Sequence, residues 1–328
     1  MRRGGEGFLV GFPAVVTSPK PSRPSTRRPS TRTRAFGSGR RENHDATGFY
    51  QRFNPPQVSD DAEVRPPASV DRIFCSDAAA MTEAQVADKS VALVVTSPPY
   101  FTGKEYETEL GEGHIPASYI DYLDLLHGVL AASADKLEPG GRMAINVANL
   151  GRKPYRSLSA DVISILQDDL GLLMRGEIIW RKAKGAGGSC AWGSFRSPAN
   201  PVLRDLTERV IVASKGRFDR ALPRRRRQLL DLPHEPTIEA SDFLEATLDV
   251  WEIPAESATR VGHPAPFPVE LPRRLIELYT YRSDLILDPF IGSGTTAVAA
   301  TTSGRHYVGF DTDPAYVALA EARLAALS

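Results

Sequence analysis

From about residue 70 onward the chain alternates short β-branched apolar runs with longer stretches of helical periodicity. The runs fall at Arg72–Cys75, Val91–Val95, Arg142–Val147, Glu177–Trp180, Arg209–Val212, Leu285–Leu287 and Tyr307–Phe310. Between Tyr119 and Leu137 the apolar residues Ile120, Leu123, Leu126 and Leu130 recur three to four positions apart, the repeat of one helix face, and the Glu-Pro-Gly-Gly of Glu138–Gly141 ends the pattern. Strands alternating with long helices predict an α/β fold, a mostly parallel sheet covered on both faces.

Two segments break this rhythm. Lys182–Arg204 is rich in Gly, Ser and Pro and carries Trp192 and Phe195, and Gly216–Pro254 contains the arginine run Arg224–Arg227. Both read as insertions on one edge of the sheet. Ahead of the alternating region, residues 1 to about 65 have almost nothing to bury, and the stretch TSPKPSRPSTRRPSTRTR predicts disorder. A solvated tail, an arm on DNA phosphates and an Arg- and Ser-rich targeting segment all fit that composition. The predicted organisation is therefore a basic tail over 1–65 and a folded domain over 66–328.

Charge and cysteine content narrow the class. The formal net charge is zero, but residues 1–45 hold ten Lys/Arg against three Asp/Glu, so the neutral total does not argue against a nucleic-acid partner. No apolar run approaches the roughly 18 residues of a membrane span. Two cysteines exclude a disulfide scaffold, and no Cys/His cluster has metal-ligand spacing, so no metal site is expected and the chain reads as cytoplasmic.

The strongest local signal is LILDPFIGSGTTAVAA, Leu285–Ala300: a strand, a tight glycine turn, then a helix opening at Thr295. Gly292 and Gly294 let the backbone approach a ligand, and the helix N-terminus behind them offers unpaired N–H groups. Gly292-Ser-Gly294-Thr-Thr-Ala297 also satisfies the dinucleotide pattern, with Asp311 after the next strand placed to hold ribose hydroxyls, so an NAD-dependent oxidoreductase competes on this motif. Against it, little chain remains for a second mononucleotide half. Asp288 at the strand end would repel a pyrophosphate and attract a cationic amino acid, which suits S-adenosylmethionine.

A second signal is VALVVTSPPYF, Val91–Phe101, an apolar strand running into Ser97-Pro98-Pro99-Tyr100. Two consecutive prolines lock a rigid corner at the carboxyl edge of a strand, where parallel α/β sheets place ligands. The Ser97 hydroxyl and the Pro98 carbonyl are acceptors for the hydrogens of an exocyclic amine, and Tyr100 offers a ring to stack on an extruded base.

Together these residues resemble the site-specific DNA amino-methyltransferases, which have Rossmann-like catalytic domains. The corner, with catalytic residues Ser97, Pro98, Pro99 and Tyr100, precedes the Asp288-Pro-Phe290-Ile-Gly292-Ser-Gly294-Thr-Thr296 turn, which is similar to the circularly permuted order of the β class. The resemblance implies S-adenosyl-L-methionine as cofactor, held by Asp288, Phe290, Gly292, Gly294 and Thr295. It also implies Asp77 from IFCSDA on the adenine, Asp311 from YVGFDTDPAY on the ribose, and His263 and Phe267 from HPAPFPVELPRRLI at the methionine pocket.

Serine in the first corner position resembles cytosine-N4 enzymes, with adenine N6 as the alternative. Cytosine-C5 chemistry lacks its cysteine, because Cys75 and Cys190 follow Phe and Ser. The permuted order puts a small target-recognition insertion over 182–254, where Arg181, Lys182, Lys184, Arg196, Arg204 and Arg224–Arg227 are candidate phosphate contacts. The expected partner is double-stranded DNA, with a cognate restriction endonuclease as a further candidate. A catalytically silent DNA-binding protein is the remaining alternative.

Overall fold

The structure is a computed structural model that describes residues 57–99, 118–150, 155–182, 193–203, 206–256 and 267–327. Eight strands form one sheet: β1 (Arg72–Cys75), β2 (Val91–Thr96), β3 (Leu137–Val147), β4 (Leu173–Arg181), β5 (Thr207–Ser214), β6 (Val250–Glu252), β7 (Leu285–Asp288) and β8 (His306–Asp311). Their spatial order is β1-β8-β7-β2-β3-β5-β4-β6. The first five in that order are mutually parallel, β5 runs antiparallel between β3 and β4, and β6 joins β4 in parallel. All seven apolar runs are strands. The three-residue β6 has too little pattern to read and was missed.

Every residue of β2 and β7 is buried, as expected for central strands covered on both sides. On one face, Val94, Met143, Ile145, Leu287 and Phe310 pack with Tyr122, Leu126 and Leu130 of α1 (Tyr119–Lys136) and with α2 (Leu158–Ser164). On the other, Leu93, Val95, Ala144 and Ile286 pack with Leu271, Leu275 and Ile276 of α5 (Glu270–Tyr279) and with α6 (Thr295–Thr302). The remaining α-helices among the described residues are α3 (Arg224–Leu229), α4 (Ala240–Ala246) and α7 (Pro314–Ala325).

Four expectations are corrected. Glu138–Gly141 is not a loop closing α1: the helix stops at Lys136, and Leu137 already pairs with Val91. The register then shifts before Leu93 pairs with Arg142, so Glu-Pro-Gly-Gly forms a bulge inside β3. Gly140 sits there at φ 77°, where a Cβ would fall 1.8 Å from the Asp219 carbonyl oxygen.

Residues 57–65, expected within the tail, dock on the domain together with the residues up to 69. Ser59 N donates to Gly216 O at 2.6 Å, Arg65 N donates to Lys89 O at 3.0 Å, and Lys89 pairs with Asp61 and Glu63. Polar docking of this kind leaves no apolar pattern to read. Residues 1–56 lie outside the described residues.

The span 182–254 does not fold as one insertion. β5 within it is an inner strand, paired on both sides, which separates Lys182 and Leu206, at the carboxyl edge of the parallel strands, from a stretch that begins at their amino edge.

The arginine run belongs to that amino edge, where Arg224, Arg225 and Arg226 are exposed but Arg227 is no candidate phosphate contact. Arg227 is 1% exposed and pairs with Glu138 at 3.0 Å and Asp284 at 3.3 Å. Arg220 pairs with the same two carboxylates, and both guanidiniums lie over the Tyr281 ring. Burial alone would raise the Glu138 carboxyl, but the two guanidiniums hold it below its ordinary range. Arg227→Ala strands two buried carboxylates, so urea unfolding is expected to show a loss of about 3–5 kcal/mol, against less than about 0.5 kcal/mol for the exposed Arg225→Ala.

Candidate active site

The sheet has a topological switch between β7 and β2. From β7 the chain crosses to β8 on one side, and from β2 it crosses to β3 on the other, which opens a crevice at the carboxyl ends of the two central strands. β2 ends at Thr96 and runs into the proline corner, while β7 ends at Asp288 and runs into the glycine turn. The two meet through one carboxylate. Thr96 Oγ1 donates to Asp288 Oδ1 at 2.5 Å, Thr296 Oγ1 to Oδ2 at 2.6 Å, and the Phe290 N–H to Oδ1 at 3.1 Å. The first of these bonds spans 192 residues of sequence.

Asp288 is 1% exposed, and burial pushes its carboxyl up to about 6 despite the two threonine hydroxyls. It was expected to face a cationic ligand. The structure instead engages both its oxygens within the protein, so it fixes the relative placement of corner and turn. Any attraction for a cation acts across that buried wall.

In the corner, Pro98 is buried, and Ser97 and Pro99 are half-buried. Tyr122 Oη, from the buried face of α1, donates to the Pro99 carbonyl at 2.7 Å. Burial pushes the Tyr122 phenol up, so it stays a donor. Asn146 Nδ2, at the end of β3, reaches Ser97 Oγ at 3.4 Å. Tyr100 and His263 lie outside the described residues.

Glycines 292 and 294 both take left-handed backbone, at φ 49° and 80°, and Gly294 caps α6. A Cβ at Gly294 would sit 2.8 Å from the Ala320 Cβ of α7, so close helix packing also requires glycine there. Arg323 of α7 clamps the turn, donating to Ser293 O at 2.5 Å, Ser293 Oγ at 3.0 Å and Thr295 Oγ1 at 3.2 Å. The Thr295 side chain is thus turned inward.

Asp311 at the end of β8 accepts from the Gly292 N–H at 3.0 Å and the Asp313 N–H at 2.9 Å, which orients its half-buried carboxylate at the crevice edge. Its sheet partner is Cys75, and two residues beyond Cys75 the exposed Asp77 caps a short turn by accepting from the Ala79 N–H at 2.8 Å. Phe290 packs against the core on the α1 face and Phe267 against the core on the α5 face.

Sequence reasoning gave no role to Thr96, Thr296, Tyr122 and Arg323, which position the site; Thr296 ends the glycine-turn motif, and the other three belong to no recognisable pattern. It also missed Gly309, where a Cβ would fall 2.7 Å from Ile291 Cγ1. The readable signal there was the glycine inside an apolar strand.

A family model described as DNA methylase matches residues 91–322, from the strand before the proline corner to the last helix. The chain belongs to the N6/N4 DNA methylase family. Among relatives of this DNA methylase, the Type II methyltransferase M.MjaI of Methanocaldococcus jannaschii is 28% identical, over 77% of this chain and 90% of its own. The putative DNA modification methylase TTHA0409 of Thermus thermophilus superposes with a TM-score of 0.60 at 28% identity, covering 78% of this chain and 94% of its own. A further structure of TTHA0409 holds S-adenosyl-L-methionine, with a TM-score of 0.58. The PvuII DNA methyltransferase shares the fold at 21% identity and a TM-score of 0.58, over 79% of this chain and 89% of its own.

The methylase carries a built-in pH dependence. The folded Asp288 carboxyl titrates at about 6 against an ordinary 3.8, so its burial costs nothing below both values. The cost grows as pH rises from 3.8 to 6 and is constant above. Asp288→Asn removes this dependence. In unfolding titrations of the cofactor-free protein, the stability of the variant relative to wild type is expected to rise by about 2 kcal/mol between about pH 4 and pH 7.

Proposed function

We propose that this DNA methylase transfers the methyl group of S-adenosyl-L-methionine to the N4 amine of a cytosine extruded from duplex DNA. The observation that carries this reading is the Thr96–Asp288–Thr296 tether, which joins the proline corner to the glycine turn. The residues fit the cofactor. The left-handed glycines leave room at the turn, α6 presents its N-terminus, and Asp77 and Asp311 stand on adjacent strand ends where a nucleoside needs acceptors. When bound, S-adenosyl-L-methionine supplies a methyl group on a cationic sulfur.

The protein's part is positioning. A cytosine amine is a poor nucleophile because its lone pair is conjugated with the ring. The Ser97 hydroxyl and the Pro98 carbonyl accept from its hydrogens and favour a tetrahedral, nucleophilic nitrogen. Tyr122 holds the adjacent Pro99 carbonyl, so the corner keeps its shape when a base enters. Tyr100 stacks on the base, which offsets part of the few kcal/mol of extrusion. Serine at the first corner position supports cytosine, with adenine N6 as the alternative.

DNA contact is assigned to the segment between β4 and β5, at the same carboxyl edge as Ser97. In it, Phe195 is 69% exposed, and the exposed Arg196 is held at φ 55°. A cognate restriction endonuclease is a further partner in this reading.

With labelled S-adenosyl-L-methionine and duplex DNA, Ser97→Ala is expected to lower kcat about 100-fold while cofactor affinity is kept. Mass analysis of nucleosides from DNA of expressing cells is expected to show N4-methylcytosine; N6-methyladenine instead would reassign the base. Arg196→Ala is expected to weaken binding to all sequences alike and to reduce the slope of log affinity against log salt by about 1, read by fluorescence anisotropy.

A further inference from the structure

Beside the proline corner lies a buried polar network that the transfer chemistry above does not use. It consists of Asn146 at the end of β3, Glu208 at the start of β5, and Lys182 just past β4. The antiparallel course of β5 brings its beginning to the edge where β3 and β4 end, so three strands deliver these side chains to one place. Asn146 is 3% exposed and Glu208 6%. Asn146 Nδ2 donates to Glu208 Oε2 at 2.6 Å, and Lys182 Nζ donates to Glu208 Oε1 at 2.8 Å.

The chemistry of the groups fixes their polarity. An ionised carboxylate only accepts, so the amide edge of Asn146 that faces Glu208 must be its NH2. The same nitrogen is the one 3.4 Å from Ser97 Oγ. That contact is long, and the short bond to Glu208 is what sets its direction. Toward Asn146, therefore, Ser97 acts as an acceptor and keeps its own hydroxyl proton out of that contact. If the amide were reversed, Asn146 would draw the Ser97 proton toward itself and swing the lone pairs of the hydroxyl to new directions. Burying the Glu208 carboxylate against a partly exposed Lys182 contributes little net stability compared with apolar packing of the same volume, so the fold alone gives weak reason for a carboxylate here.

We propose that Glu208, braced by Lys182, is a positioning residue for methyl transfer, which holds the Asn146 amide so that Ser97 meets the target amine with a fixed hydrogen-bond polarity. The proposal rests on the reading of Ser97 as an acceptor for that amine. Because Lys182 is also where the chain leaves β4 for the segment assigned to DNA contact, the network links that segment to the reacting corner through four side chains.

The test uses the full chain with labelled S-adenosyl-L-methionine and duplex DNA. Glu208→Gln can donate or accept and no longer dictates the amide. Its kcat is expected to fall about 10-fold or more, with both KM values within about two-fold of wild type. The double variant Asn146→Asp/Glu208→Gln restores a donor–acceptor pair of reversed polarity and leaves no N–H for Ser97. It is expected to regain the wild-type melting temperature and to keep the low kcat. Recovery of kcat together with melting temperature would show a purely structural pair and overturn the proposal, as would an unchanged kcat in Glu208→Gln. Should either variant fail to fold, Lys182→Met leaves the buried pair intact; a kcat lowered about three-fold at constant KM supports the proposal and an unchanged kcat overturns it. A wild-type chain that transfers no methyl group to any DNA would instead remove the proposed function itself.

Discussion

One buried carboxylate holds the two working parts of this molecule in register. Asp288 ends the central strand, and its oxygens accept from Thr96 on one side and Thr296 on the other, so the proline corner and the glycine turn cannot separate without breaking short bonds in a dry environment. The arrangement has a cost, visible in the raised carboxyl. Cost of this kind concentrates where a protein must hold chemistry in a fixed geometry. The parallel strands give the direction of that geometry, since both corners leave the same edge of the sheet.

The two ends of the parallel strands are treated differently. At the amino edge, Glu138, Asp284, Arg220 and Arg227 form a closed set of buried charges that ties the β3 bulge, α3 and the entry to β7 together. At the carboxyl edge the polar groups belong to loops and strand ends, namely Ser97, Asn146, Glu208, Asp77 and Asp311. One edge closes the fold and the other presents chemistry, which is the usual division of labour in open α/β sheets.

Much of this was legible before any coordinates. Strands such as Val91–Val95 and Leu285–Leu287 are continuous apolar runs because both their faces are covered, and the corner and turn stand out because Pro-Pro and Gly-x-Gly impose backbone geometry locally. What stayed hidden depends on contacts between distant residues. Nothing near Thr96 announces that its hydroxyl serves Asp288, and Arg227 reads as one of four surface arginines until Glu138 and Asp284 are placed around it. Glu138–Gly141 misled for a related reason: its turn-forming residues serve a bulge, in which the backbone at Asp219 leaves no room for a Cβ at Gly140. The contacts of residues 57–69 escaped because they are polar, and periodicity reports only apolar burial.

The strand order also governs how the protein comes into being. Among the described residues β1 pairs only with β8, linking Arg72 to Val308, and β2 gains its second neighbour when β7 arrives. During synthesis the earliest strand waits through more than two hundred further residues for its partner, with its edge unsatisfied. Such long-range pairing makes folding slow and leaves nascent chains open to aggregation. A ribosome stalled before α6 and β8 would leave six strands able to pair, from β7 to β6, with β1 unpartnered and the buried strand β7 as an apolar margin.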